Sequence, residues 1–295
     1  MENSLAAVSA YRTKIGTKIG KLASSLEYTA ITSLFRKVKG PVLGVDIGTS
    51  AIKIVELAPS SGGSIKLTRW AIHSLPAGVI TENTISNVDA VIDVFVSAVE
   101  RESINAKRAV VAVSASHAVS SNITLPKHLS DDEMESLVEL EASQFVPYPL
   151  EDVNLDFQVL GASGLNPEDN EVLAVACRRE IIEDCVAVIE AAELEVQIVD
   201  IDTYALERVV AHACPSIGLV AVVDIGHAST HLGVFDGDQT LYSRYQAFGG
   251  KQLVDLVVQS FGVSDEEAKG LIGSENPPDG YQKDVLPQFV QMAAK

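Results

Sequence analysis

The sequence is short of cysteine, of aromatic residues and of long apolar runs. Its three cysteines (Cys177, Cys185 and Cys214) are an odd number without CxxC spacing, which predicts neither a disulfide framework nor a zinc site. No stretch reaches the roughly 18 uncharged apolar residues that a membrane-spanning helix needs, and the N-terminus lacks the apolar core of a signal peptide. These absences predict a cytoplasmic protein with reduced, buried thiols.

Basic residues are also few, and their distribution is uneven. The net charge is −18, but residues 1–40 carry +5 and the remainder carries −23. An acidic body disfavours nucleic acid as a partner, because phosphate backbones repel it. The basic segment has apolar residues near helical spacing (Leu5, Ile15, Ile19 and Leu22), which suits an anionic membrane surface or a partner. A frayed tail or a wrongly assigned start codon would explain it equally well.

The rest of the sequence is typical of a globular α/β protein. Its 295 residues, 47% hydrophobic and 21% charged, allow about two domains. Strand-like and helix-like patterns alternate from residue 41 to residue 213. The clearest helix start is Ser130, because Ser130 and Glu133 have the spacing of a capping box, and the helix must end before Pro147.

A short turn between two strand-like runs is the first candidate site. Residues 42–57 read VLGVDIGTSAIKIVEL, which predicts a strand, an Asp-Ile-Gly-Thr-Ser turn and a second strand. Such a turn forms a plain hairpin, because Gly tolerates positive φ and Asp and Ser cap turns. It also suits a phosphate loop, in which the glycine backbone approaches an anion and Thr49 and Ser50 donate to its oxygens. Lys53 follows on the strand, where it either steadies a phosphate or points to solvent.

A second block repeats this pattern and favours the phosphate loop. Residues 219–245 read LVAVVDIGHASTHLGVFDGDQTLYSRY, which predicts strand, Asp-Ile-Gly turn, strand, Asp-Gly hairpin and strand. Two such blocks in one chain indicate an internal duplication. We therefore expect Asp46 and Asp224 to face each other across one cleft. His227 and His231 have no partners for a metal site or a triad, and we expect them to be surface or packing residues.

The paired turns resemble the two phosphate loops of the actin/Hsp70/sugar-kinase superfamily. The segment at 248–269, FGGKQLVDLVVQSFGVSDEEAK, is similar to the Gly-Gly and following helix of its FtsA-like branch. A narrower resemblance, over residues 34–295, is to the PilM family of type IV pilus assembly proteins. It is carried by the segments GVDIGTSAIKIVEL, LSDDEMESLVELEASQFVPYPLEDVNLDFQVLG, VLAVACRREII and VDIDTYALERV.

The resemblance implies an α/β protein with the actin-like ATPase fold. It would have duplicated ribonuclease-H-like cores and an FtsA-type inserted subdomain, with the second core incomplete because the chain is shorter than its family. The implied domains are a basic N-terminal extension at 1–40, a first core at 41–83 plus 200–218, the insert at 84–199 and a second, truncated core at 219–295.

The resemblance also implies ATP and Mg²⁺ as cofactors, with weak or absent hydrolysis and no catalytic residue. Asp46 and Asp224 would hold the metal indirectly, through water. The implied nucleotide-binding residues are Asp46, Gly48, Thr49, Ser50, Lys53, Asp224, Gly226, Ser229, Thr230, Gly249 and Gly250.

Three positions depart from the superfamily pattern. His227-Ala228 stands where relatives often have two glycines, and Lys269 stands where the wider pattern has a ribose-binding acid. The chain ends at QFVQMAAK, without the glycine-rich adenosine loop, so we expect adenine to be held poorly.

The implied partner is the N-terminal cytoplasmic tail of the inner-membrane protein PilN, along with other pilus machinery components. The protein would be cytoplasmic and peripheral at the inner membrane, linking the alignment complex to the pilus machinery for twitching motility. We expect the insert to supply part of the groove for the tail, with strand 109–113 or strand 118–125 at its border. Two alternatives are a sugar-kinase-like phosphotransferase and an FtsA-like cell-division protein. The first lacks a sugar-binding cluster here, since the only tryptophan is Trp70, and the second lacks its C-terminal amphipathic helix.

Overall fold

The computed structural model describes residues 40–294 apart from residues 61–63, 215–217, 238 and 275. The basic segment predicted over residues 1–40 therefore lies outside the described residues, except for Gly40. The described chain divides into two compact units. The first contains the residues up to Ile47 with Ala51–Val79 and Thr84–Asp202, and the second contains Gly48–Ser50, Ile80–Asn83 and the described residues of Thr203–Lys295.

Within the described residues, strands and α-helices alternate through most of the chain. The strands are β1 (Val42–Ile47), β2 (Ala51–Pro59), β3 (Ile65–Ser74), β4 (Ile80–Thr81), β5 (Thr84–Ile85), β6 (Arg108–Val113), β7 (Ala118–Pro126), β8 (Val153–Ala162), β9 (Asp169–Arg178), β10 (Glu195–Ile201), β11 (Leu219–Ile225), β12 (Thr230–Asp236) and β13 (Gln239–Gln246). The α-helices are α1 (Val88–Arg101), α2 (Asp131–Phe145), α3 (Arg179–Glu190), α4 (Asp202–Ala213), α5 (Gly250–Phe261), α6 (Asp265–Ile272) and α7 (Leu286–Ala293).

The first unit is built on a five-stranded sheet in the order β3-β2-β1-β6-β10. β1, β2 and β3 are antiparallel, whereas β6 and β10 run parallel to β1 and to each other. Parallel neighbours need a crossover connection, and α1 and α3 lie in those connections. On α1, Val91, Phe95 and Ala98 repeat at four and three residues and are fully buried, which is the apolar stripe of an amphipathic helix.

A charged residue lies in this core among apolar neighbours. Glu56 is on the same face of β2 as Ile52 and Ile54, and only 1% of it is exposed. Its carboxylate accepts hydrogen bonds from the backbone N–H groups of Asn105 and Ala106 at 2.7 and 2.8 Å. It also accepts from Thr68 Oγ1 at 2.8 Å and from the Arg69 guanidinium at 2.7 Å. Burial alone raises the pKa of this carboxyl, but these donors outweigh it and the net pKa is lowered.

A smaller sheet, β7-β9-β8, and α2 form the inserted part of the first unit. Met134, Val138 and Ala142 of α2 are buried against this sheet. Ser130 caps α2 in a capping box with Glu133, as the sequence predicts. β6 and β10 lie within the range predicted for the insert, residues 84–199, but they pair with the first sheet rather than with β7–β9. By strand pairing, the insert is therefore shorter than that range.

The second unit holds an antiparallel sheet in the order β11-β12-β13, followed by α5, α6 and α7. Val254 and Val257 of α5 form a core with Ala268 of α6 and with Tyr281 and Val285 of the following turn. The three-stranded meander of β11–β13 repeats the arrangement of β1–β3. The duplicated strand-turn-strand pattern is therefore present in the fold.

Candidate functional site

The first predicted loop closes the hairpin of β1 and β2. Ile47 pairs with Ile52, so Gly48, Thr49 and Ser50 form the connection between the strands. Asp46 and Lys53 lie directly opposite each other, and Lys53 Nζ is 2.7 Å from Asp46 Oδ2. Both side chains are about half exposed, so this ion pair remains open to exchange with a ligand.

The second loop closes the hairpin of β11 and β12 in the same way. Ile225 pairs with Thr230, and the N–H of Gly226 donates to the carbonyl of Ser229 at 2.9 Å. A Cβ atom at position 226 would be 2.8 Å from that carbonyl oxygen. Only glycine fits this turn without moving its backbone.

Three hydrogen bonds join this loop to the start of α5. The N–H groups of Gly250 and Lys251 donate to the carbonyls of Gly226 and His227 at 2.9 and 2.8 Å. Thr230 Oγ1 donates to the carbonyl of Phe248 at 2.7 Å. These bonds make the second loop and the first turn of α5 one backbone assembly.

Gly249 allows this close approach. A Cβ atom there would lie 2.5 Å from the carbonyl oxygen of Gly226 and 2.6 Å from that of His227. Its N–H donates to the side chain of Gln252 at 2.8 Å. Gly249 and Gly250 were predicted to bind nucleotide, and the structure gives Gly249 this packing role; nucleotide contact by either stays a prediction.

Three backbone donors of the second loop remain available to a ligand such as phosphate. The first amides of α5 and the hydroxyl of Thr230 are already engaged with loop carbonyls. In the part of the chain that the structure describes, no hydrogen bond engages the amides of His227, Ala228 and Ser229. Successive amide donors at a turn are the arrangement that an anion requires.

The described residues contain no cluster of metal-ligating side chains. Residues 40–294, outside the gaps given above, contain no group of three or more His, Cys, Asp or Glu side chains able to hold a metal ion. Asp46 and Asp224 are exposed and belong to different units. Their indirect role at a metal ion and their facing across one cleft both stay predictions.

Two of the three cysteines are buried. Burial raises the pKa of Cys177 to about 11 and that of Cys185 to about 12, so both remain thiols. Cys214 is half-buried, and all three are free.

Histidine has two different roles beside the second loop. His231 is a packing residue, as predicted: it is 5% exposed, its Nε2 is 2.9 Å from Ser243 Oγ, and its ring stacks on Tyr245 at 4.5 Å. His227 is half-buried at the turn itself. Burial lowers the pKa of its imidazole, and the charges of Lys269 and Lys251 lower it further. Sequence patterns do not reveal Lys251 as a neighbour of His227, because the contact depends on the docking of α5.

Comparison with known proteins places these loops in a family context. The family model described as type IV pilus assembly protein PilM matches residues 44–295. A solved PilM-PilN type IV pilus biogenesis complex is similar at 26% identity, covering 85% of this chain and 74% of that chain, with a TM-score of 0.70. The ethanolamine utilization protein EutJ from Carboxydothermus hydrogenoformans is similar in fold at 18% identity, covering 90% and 76%, with a TM-score of 0.52. The predicted actin-like ATPase fold is confirmed.

Proposed function

The chain belongs to the PilM family of type IV pilus assembly proteins, and from this membership we propose that it is a nucleotide-binding adaptor for the N-terminal cytoplasmic tail of PilN. In this role it would sit in the cytoplasm at the inner membrane and link the alignment complex to other pilus machinery components. The observation that carries the proposal is the similarity to the PilM-PilN complex over 85% of the chain. It favours the adaptor over the sugar-kinase-like and FtsA-like alternatives.

Strand pairing favours β7 over β6 as the border of the tail groove. Of the two strands predicted to border it, β6 lies between β1 and β10 and has both edges paired. β7 is the outer strand of the inserted sheet, with β9 on one side only. An extended peptide binds such an edge by adding a strand, with backbone hydrogen bonds that need no particular sequence.

The surface beside β7 suits a tail with apolar and basic residues. A shallow groove at the start of α2 is lined by Leu129, Leu137, Asp132, Glu133 and Ser136. The leucines would receive apolar anchors, and the carboxylates would attract a basic side chain. Attraction between exposed charges speeds association and weakens with added salt.

The two loops supply the nucleotide part of the proposal. Lys53 and the amides of residues 227–229 would contact phosphate oxygens, and Asp46 and Asp224 would hold water on Mg²⁺. Bound Mg²⁺ would neutralise phosphate charge.

Proline substitutions on the two edges of the inserted sheet test the tail site. Successive N–H groups of a strand point alternately to the neighbour and to the free edge. One of the two variants Ser121→Pro and Asn122→Pro therefore removes a donor at the free edge of β7 and leaves the pairing with β9 intact. This variant is the one that circular dichroism and thermal unfolding show to be folded. We expect this variant to bind a PilN-tail peptide about tenfold more weakly in isothermal titration.

The matched control is the opposite edge. Gln158→Pro and Val159→Pro on β8 provide the same pair of variants, and the folded member should bind as the wild type does. Unchanged affinity in the β7 variant, or loss in the β8 variant, would contradict the placement at β7.

A further inference from the structure

Basic side chains gather on one side of the second loop. The bond from the Lys251 N–H to the His227 carbonyl, 2.8 Å long, holds the turn against the first turn of α5. His227 Nδ1 is 3.9 Å from the position that a Cβ atom on Gly250 would occupy. The imidazole therefore lies beside Gly250 at the start of α5, and Lys251 is the next residue of that helix.

A second lysine reaches the same place from α6. Ala268 is fully buried in the core that α6 shares with Val254 and Val257 of α5, which fixes the position of the adjoining Lys269. Both ammonium groups act on the ring, because burial first, then Lys269 and Lys251, lower the pKa of His227. Asp255 and Asp265 act on the ring in the opposite direction.

Of these two lysines, one has an ion-pair partner among the described residues. Lys251 Nζ is 2.8 Å from a carboxylate oxygen of Asp255. Lys269 is exposed and forms no ion pair with any residue that the structure describes. Two lysines that act on this loop, together with the unengaged amides of residues 227–229, suit an anionic ligand.

We propose that His227, Lys251 and Lys269 form a cationic rim of the second loop that binds a phosphate group of a nucleoside polyphosphate, with His227 taking up a proton as it binds. The proposal rests on the proposed nucleotide binding and deepens it. Lys269 stands where the superfamily has a ribose-binding acid. In this proposal its role is to recognise the charge of the ligand.

The proton uptake has a definite sign. In the free protein the lowered pKa keeps the imidazole neutral at pH 7. A phosphate group beside the ring favours the charged form and raises that pKa, so binding takes up a proton. Affinity then rises as the pH falls from 8 towards 6, by at most about tenfold per pH unit for one linked proton. Lys251, Lys269, Asp255 and Asp265 are the charged groups that act on the ring.

Calorimetry on the full chain tests the rim. Mg-ATP is titrated at pH 7 in two phosphate-free buffers of different ionisation enthalpy, so that the buffer-dependent heat counts the protons taken up. We expect uptake of a fraction of one proton by the wild type and none by His227→Gln, with weaker binding. Lys269→Ala should weaken binding about two- to fivefold. The exposed His212 and Lys283 supply the matched controls His212→Gln and Lys283→Ala, which should bind as the wild type does.

The outcomes separate the rim from the nucleotide proposal. Equal affinities of wild type and His227→Gln, without proton uptake, overturn the rim and leave nucleotide binding standing. No heat from Mg-ATP with the wild type at pH 6 to 8 overturns both. An NMR titration of the wild-type histidines gives an answer without any variant: the imidazole pKa of His227 should rise when Mg-ATP is added, and an unchanged value would refute the rim.

Discussion

At the scale of single residues, the structure differs most from the sequence pattern at Glu56. Alternation along β2 places it on the inward face, but its burial depends on donors that are distant in the chain. The amides of Asn105 and Ala106 are 49 and 50 residues away, and no periodic pattern connects them to Glu56. The carboxylate ties β2 to the segment before β6. It is a structural residue that sequence reasoning could not identify.

Replacement of Glu56 tests this role. Glu56→Gln removes the charge and places a side-chain NH₂ group against the N–H and O–H groups that donate to the carboxylate. We therefore expect this variant to destabilise the chain by about 2–3 kcal/mol at pH 7. The folded-state pKa of Glu56 lies below its ordinary value near 4.5, so its stabilisation is present above the unfolded pKa and is lost as the pH falls through the folded pKa. The difference between wild type and variant, measured by urea unfolding, should shrink below pH 4.5. Glu135→Gln, an exposed carboxylate on α2, should change stability by less than about 0.5 kcal/mol. A difference that is independent of pH would contradict the assignment.

At the scale of elements, sequence patterns locate helices and strands better than they locate their neighbours. The capping box at Ser130 and Glu133 is local, and α2 begins where it predicts. The extent of the insert is not local, because the apolar run of β6 suits any buried strand position. Only its pairing between β1 and β10 shows that it belongs to the first sheet. For the same reason, the sequence marked Gly249 and Gly250 as site residues without revealing their contact with the second loop.

The joint between the second loop and α5 can be tested at Gly249. Gly249→Ala would place a methyl group 2.5 and 2.6 Å from two backbone oxygens, so the loop and the helix start must separate. We expect a cost of about 1–3 kcal/mol and faster hydrogen exchange at the Gly250 and Lys251 amides. Gly270→Ala is the control: this glycine is on α6 with open space around its Cβ position, and alanine should be neutral or slightly stabilising there. Unchanged hydrogen exchange of the Gly250 and Lys251 amides in Gly249→Ala would show that their protection does not depend on the contact between the second loop and α5.

At the scale of the whole molecule, the duplication is the feature that the sequence predicts best. Both meanders, β1–β3 and β11–β13, follow a strand-turn-strand plan with an Asp-Ile-Gly turn. None of the helices in the described ranges has the length and apolarity that a bilayer span demands. Family membership gives the duplicated fold its cellular context, since the composition of the sheets does not by itself specify a partner.

Titration of a PilN-tail peptide against the wild-type chain tests the central claim most directly. Calorimetry with the N-terminal cytoplasmic tail and with a scrambled tail of equal composition separates sequence-specific docking from attraction to an acidic body. The adaptor account predicts saturable binding of one tail per chain, with or without Mg-ATP, and at most weak, salt-sensitive binding of the scrambled peptide. Equal heats from the two peptides, or none from either, would contradict it.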